Sequence, residues 1–379
     1  MLVSGHSEGG FRLRRKRRLE CECVSSEQVP LADGNDICMM ESRHLYIIGN
    51  GFDLYHGAES RYQDFRTYLC RKRPHIASGF DLFFGPWSWY KRVSILWGEF
   101  EKNLSELNRE KVFEFLDMSL PRVDENEEGF TYAKYYAPLD AVSELVNSCT
   151  FDMKYHLHRW VNTLHYKKGF RKHMLSLDTE AVFLNFNYTL FLEKEYGIPS
   201  DRICYIHGNR KDRFGSLIFG HHSNHQGIRD RWIYKNQNRR RYRPVQKDAK
   251  GRYFKNDKLD YLTYFQDDDE SANWRLPIRF YAINEAYGRL EQYYDENYKN
   301  IQRCIESNRG FFDSMSGIEK ITVIGCSLSE VDMDYYRTIR SITRDDAVWE
   351  FSFHTAKDKK RIKQFCAELA IKCVTMFKL

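Results

Sequence analysis

Two nearly uninterrupted apolar runs with β-branched content, Leu45–Ile48 and Ile321–Ile324, bracket a chain whose other apolar positions recur mostly at steps of three and four. Runs of that length read as strands buried on both faces, which is the signature of a parallel sheet. Ala181–Leu184, Ile203–Ile206, Leu217–Phe219, Val348–Phe353 and Cys373–Phe377 add further strands. Helical spacing joins Tyr62, Phe65, Tyr68 and Leu69, then Phe100, Leu104 and Leu107, then a long series from Leu139 to Leu164. The same spacing predicts one helix from Phe280 through Ile305 and another over Lys357–Ile371. The predicted fold is α/β: a Rossmann-like parallel sheet with helices on both faces and a large helical insertion at about 60–170 between the first two strands.

Residues 1–38 show neither period and are mixed in charge, so they predict a disordered, dispensable tail ahead of an α/β domain over 39–379. Met39–Met40 would serve as a start, which makes the tail readable as a non-native extension. A basic insertion is expected at about 226–275, with Arg239, Arg240, Arg241 and Arg243 among interleaved aromatics and an acidic run, Asp267–Glu270, behind it. Such a segment is either a solvated loop that pairs with its own acidic run or a grip on single-stranded nucleic acid.

The polar residues that stop the strands hold the candidate chemistry. After Ile48 comes Gly49–Asn50–Gly51–Phe52–Asp53, a strand-to-helix turn where glycines admit close backbone approach and helix amides favour a phosphate. A purely structural turn is the competing reading. Asn185 and Asn187, spaced by two, cap their strand or bind a ligand from one face of an extended chain. His207–Gly208 ends the next strand, and Gly325–Cys326–Ser327–Leu328–Ser329 leads to Asp332, where Ser327, Ser329 and Asp332 can cap a helix or hold a ribose hydroxyl. In a parallel sheet these ends converge on one edge. His221, His222 and His225 lack a carboxylate or cysteine at a metal-ligand spacing, so no metal is expected.

Composition changes this picture little. The chain has 379 residues, 42% hydrophobic and 30% charged, enough for a real core, and a net charge of +6 that by itself is no nucleic-acid footprint. Its 10 cysteines show no Cys-x-x-Cys pairing, which predicts free thiols in a reducing, cytoplasmic setting. No apolar run is long enough to span a membrane, and no membrane partner is expected.

Ile47–Leu54 with Tyr62-x-x-Phe65, Asn185–Thr189, Tyr205–Gly208 and Ile324–Ser329-x-x-Asp332, in this order and spacing, resemble the bacteriophage abortive infection AbiH family from about residue 43 to the C-terminus. The resemblance implies a bacterial cytoplasmic antiphage protein that stops phage growth at the cost of the infected cell, with an unspecified phage trigger and a homo-oligomer among its expected partners. More distantly, the same blocks are similar to sirtuin-like domains of other phage-defence proteins, which bind or cleave NAD on a Rossmann-like sheet. Gly49–Gly51 stands where those have Gly-Ala-Gly, Phe186–Thr189 where they have Thr-Asn-Tyr-Asp, and Ile206–Gly208 where they have Leu-His-Gly. Thr189 replaces their acidic residue, and the zinc cysteines of deacetylases are missing.

The combined expectation is an NAD glycohydrolase, with a non-catalytic nucleotide or nucleic-acid sensor as the alternative. Asn187 and His207 would face each other as the catalytic pair, His207 as a base with a pKa near its ordinary ~6.5. Gly49, Asn50, Gly51, Phe52, Asp53, Asn185, Gly325, Ser327, Leu328 and Asp332 would hold the nucleotide.

Overall fold

The computed structural model describes residues 42–84, 92–108, 111, 132–167, 169, 174–222, 245–247, 249–255 and 275–379. Its strands are β1 His44–Ile48, β2 Val182–Asn185, β3 Ile203–Tyr205, β4 Val245–Lys247, β5 Tyr253–Lys255, β6 Lys320–Ile324, β7 Val348–Phe353 and β8 Val374–Lys378. Six of them make one sheet in the order β3-β2-β1-β6-β7-β8, every pairing parallel; β4 and β5 form a separate antiparallel pair. Counted within the large sheet alone, this is the doubly wound Rossmann order, with the direction of winding reversed between β1 and β6.

Register explains why β1 is apolar and buried from Leu45 to Ile48. Leu45 pairs with Val182 and Ile321, and Ile48 with Asn185 and Ile324, so the strand is flanked on both edges. Tyr46 and Ile48 enter one core cluster and Leu45 and Ile47 the other, because successive side chains alternate between faces. The first cluster is roofed by the insertion: helices Tyr62–Lys72, Pro74–Phe83, Arg92–Gly98, Phe100–Asn103, Tyr132–Asn147 and Met153–Val161, the last two joined by a π-helical turn, Ser148–Asp152. Pro74 opens its helix at the first turn, where a missing N–H costs nothing. The second cluster is covered by Ile301–Ser307, Arg309–Asp313, Met333–Ile342 and Ala356–Glu368.

Three expected elements come out differently. Leu217–Phe219 is not a strand; only Ile218 reaches back, its N–H donating to the His207 carbonyl at 2.9 Å, and Gly220 adopts a φ of 153° against the Asn297 carbonyl. The single helix expected to Ile305 is two, Arg275–Glu296 and Ile301–Ser307, broken where Asn300 caps the second by accepting from the Arg303 N–H. The Phe100 helix ends at Asn103, leaving Leu104 and Leu107 to pack from irregular backbone. The tail, and the basic insertion apart from 245–247 and 249–255, lie outside the described residues. Among the described residues no helix is long and apolar enough to cross a membrane. Seven described cysteines, Cys70, Cys149, Cys204, Cys304, Cys326, Cys366 and Cys373, are free thiols.

Candidate functional site

At the reversal point the β1 and β6 turns interlock. The Gly51 N–H donates to the Gly325 carbonyl at 2.8 Å and the Gly49 N–H to that of Ile324 at 2.9 Å. A Cβ on Gly51 would lie 2.6 Å from Gly325 Cα, and one on Gly49 2.8 Å from Cys326 Cα. Gly325 itself has a φ of 67° and donates its N–H to Ser352 Oγ at 2.8 Å. These glycines therefore serve chain-to-chain approach, and the amides of Gly49 and Gly51 are already used.

Beside that knot sits Asp53, 2% exposed. Asn187 Nδ2 donates to its Oδ1 at 3.1 Å and to the Gly49 carbonyl at 3.1 Å, and Thr189 Oγ1 donates to its Oδ2 at 2.8 Å. Asn185 holds Asn187 in place, its Oδ1 accepting the Asn187 N–H at 3.0 Å. Arg210 stands in electrostatic range; its Nη2 donates to the carbonyls of Val161 and Leu164, its guanidinium lies 5.6 Å from the Phe191 ring, and its buried Nε has no hydrogen-bond partner. Burial pushes the Asp53 carboxyl up to about 7, against the opposing pull of Thr189, Asn187 and Arg210.

His207 occupies other ground. Its Nε2 lies 3.2 Å from Tyr335 Oη and its ring stacks on Phe186 at 5.3 Å, both neighbours belonging to the second core cluster, whereas Asp53 follows Phe52 of the first. Asn187, expected opposite His207, bonds instead to Asp53 and the Gly49 carbonyl, while His207 packs on Phe186 and Tyr335. The expected near-neutral base is corrected, since burial and the Lys299 charge lower the His207 pKa well below 6.5. His207 is a neutral imidazole at physiological pH.

The remaining expected ligand contacts are scattered along the same edge. Asn50 is closed into a side-chain pair with Ser60, and Phe52 is core. Ser327 is exposed, with its carbonyl accepting from Arg361 at 2.9 Å, and Leu328 carries a positive φ of 52°, an uncommon backbone for leucine. Ser329 caps the turn Glu330–Asp332. Asp332 is half of a carboxylate pair around Lys299, which is 1% exposed: Nζ reaches Asp332 Oδ1 at 2.8 Å and Glu101 Oε2 at 3.0 Å, while Tyr62 Oη donates to Glu101 Oε1 at 2.6 Å. Burial opposes the Lys299 charge, but Asp332 and Glu101 outweigh it and hold the ammonium protonated. His221 faces the Tyr294 carbonyl and His222 pairs with Asp334 at 2.9 Å. Among the described residues no three His, Cys, Asp or Glu side chains gather as metal ligands would.

Sequence reasoning missed Lys299, Glu101 and Arg210. Lys299 lies inside what reads as helix, and Glu101 and Arg210 look like solvated charges; Tyr62, in the Tyr-x-x-Phe block, and Asp332, after the Gly325 turn, pointed toward this cluster.

No curated protein and no solved structure matches the chain. A family model described as bacteriophage abortive infection AbiH matches residues 45–353, a span that runs from β1 to the end of β7 and contains the interlocked turns, the Asp53 cluster and the Lys299 clamp. Covering most of the chain, the match fixes its membership: the protein belongs to the bacteriophage abortive infection AbiH family and has that family's role in antiphage defence.

Proposed function

We propose that this defence role runs through a nucleotide site at the reversal point of the sheet, where NAD or a related nucleotide is bound and its ribosyl bond to nicotinamide is hydrolysed with Asp53 as proton acceptor. The observation that carries the reading is Asp53 itself: a buried carboxyl with a pKa of about 7, oriented by Asn187 and Thr189, in the crevice where doubly wound sheets take ligands. A general base works best when its pKa lies near the working pH, and His207 does not meet that condition. In the reaction the bond between ribose C1′ and the nicotinamide nitrogen breaks and its electron pair leaves with nicotinamide. Water adds at C1′, and the proton it loses passes to ionised Asp53 and then to solvent. Asn187 positions the carboxylate. The pyrophosphate does not fit the glycine turn, because the Gly49 and Gly51 amides are bonded to Ile324 and Gly325. Arg210, with its unpartnered Nε, is the group suited to receive a ligand oxygen. Because Asp53 and Asn187 are buried, ligand entry must displace part of their cover.

The test is nicotinamide release from NAD by the purified chain across pH, beside Asp53→Asn. Release should rise as pH passes through about 7 in wild type, and the variant should lose on the order of 100-fold or more together with protection of cells from phage. If infected cells expressing the wild type keep their NAD, or if Asp53→Asn still protects, hydrolysis at this site is wrong. A thermal midpoint raised by NAD with no nicotinamide released would replace hydrolysis by nucleotide sensing.

A further inference from the structure

Away from Asp53, two segments distant in sequence bring exposed aromatic rings together. Phe151, 61% exposed, projects from the π-helical turn Ser148–Asp152, and Phe214, 42% exposed, from the loop after His207–Gly208. Their rings meet edge to face at 5.5 Å, and Tyr155 closes on Phe214 at 4.8 Å. Arg159 lies over the Tyr155 ring at 5.6 Å and donates to its hydroxyl at 2.7 Å, while Arg213 is exposed beside Phe214. A single exposed phenylalanine needs no explanation, but two that seek each other out across the surface do. A single-turn π segment interrupting a helix is itself a frequent mark of a functional position.

The surroundings identify the partner. An apolar protein interface would extend the patch with aliphatic side chains, whereas the exposed neighbours here are Arg159, Arg213, Gly215 and Ser216. Of the two acids nearby in sequence, Asp212 turns inward to accept the Asn209 N–H at 2.7 Å, and Asp152 is half-buried next to Phe151. The exposed rings of Phe151 and Phe214, with the Arg159 guanidinium stacked over the adjoining Tyr155 and Arg213 exposed beside Phe214, match a nucleobase and its phosphate, because any base can stack and any phosphate pairs with arginine. We propose that Phe151 and Phe214, braced by Tyr155, form a stacking platform for single-stranded nucleic acid, with Arg159 and Arg213 against the backbone phosphates. The platform is independent of the hydrolytic reading of Asp53.

The experiment is fluorescence anisotropy of the full chain with labelled oligo-dT and oligo-U of about twenty nucleotides, at roughly 50 and 200 mM salt. Wild type should bind, and bind more weakly at the higher salt; the two probes separate DNA from RNA as the source. Phe151→Ala and Phe214→Ala should each weaken binding about tenfold at both salt concentrations with unchanged thermal midpoints, because stacking is lost without loss of charge. Arg159→Gln and Arg213→Gln should reduce the steepness of the salt dependence. The proposal is overturned if wild type binds neither probe at the lower salt, or if the two phenylalanine variants bind like wild type. It is equally overturned if Phe151→Ala dissolves a wild-type dimer and leaves oligonucleotide affinity intact, since the patch is then a contact between copies of the chain.

Discussion

Asp53 is a buried carboxylate and the Glu101–Asp332 pair is a partly exposed one closed around a buried ammonium, and the two have opposite electrostatic situations. Around Lys299 two carboxylates share one buried ammonium, so each charge has a partner and the cluster ties the helical insertion, through Glu101, to the loop after β6, through Asp332. Around Asp53 the partners are an amide and a hydroxyl, with Arg210 only in electrostatic range and its own hydrogen bonds spent partly on Val161 and Leu164. Hydrogen bonds from neutral groups do not fully replace water for a carboxylate, and burial therefore leaves Asp53 titrating at about 7. The difference separates a charge-paired clamp from a buried carboxyl whose bonded partners are neutral.

The clamp offers the largest effect. Lys299→Met leaves Glu101 and Asp332 facing each other without their cation, and the expected loss is about 3–5 kcal/mol of folding stability, read by urea unfolding. A loss under about 1 kcal/mol would place Lys299 among ordinary surface pairs and erase the contrast with Asp53.

The Asp53 side of the comparison is sharpened by pH. Its folded pKa of about 7 lies above the ordinary carboxyl value of 3.8, so the folded chain holds a proton that the unfolded chain has released between those values. Stability tied to this group is full below about pH 4 and falls as pH rises through about 7, by on the order of 4 kcal/mol. The stability difference between Asp53→Asn and wild type should accordingly be near its minimum at acid pH and grow in favour of the variant by pH 8. A difference that stays flat from pH 4 to pH 8 would mean that Asp53 is ionised throughout, as a clamped carboxylate would be. Ionisation thus destabilises the fold over the same pH range in which it would create the base, the trade expected of a working site.

The smallest effects concern the knot that holds both clusters at one edge. Gly51→Ala forces a Cβ to within 2.6 Å of Gly325 Cα and should cost about 1–3 kcal/mol, because both contacts are backbone and neither side can swing away. Gly79, inside helix Pro74–Phe83 with nothing within 4 Å of its Cβ position, should instead gain about 0.5–1 kcal/mol as alanine. Thermal unfolding of the two variants side by side checks this, and equal midpoints would show that the interlocked turns yield more easily than their contacts indicate.

Much of this protein was legible from sequence because it depends on short-range periodicity. The apolar runs at Leu45–Ile48 and Ile321–Ile324 read as strands buried on both faces, and the three-and-four spacing from Leu139 to Val161 as helix, so the α/β class followed. The blocks at Asn185–Thr189 and Tyr205–Gly208 likewise marked the strand ends that converge on the carboxyl edge. Which partners those residues take there depends on tertiary contacts alone. Gly49 and Gly51 suit a phosphate or a neighbouring chain equally well until Gly325 is seen to fill the space. Asn187 and His207 lie past the ends of their strands, where the two-residue alternation that assigns a face no longer applies, and they take different partners, Asp53 for one and Tyr335 for the other. Lys299 reads as one more polar residue on a helix until the break before Asn300 turns it inward between Glu101 and Asp332. The pKa of Asp53 depends on what has been excluded from around it, and desolvation is a property of the assembled fold rather than of any stretch of chain.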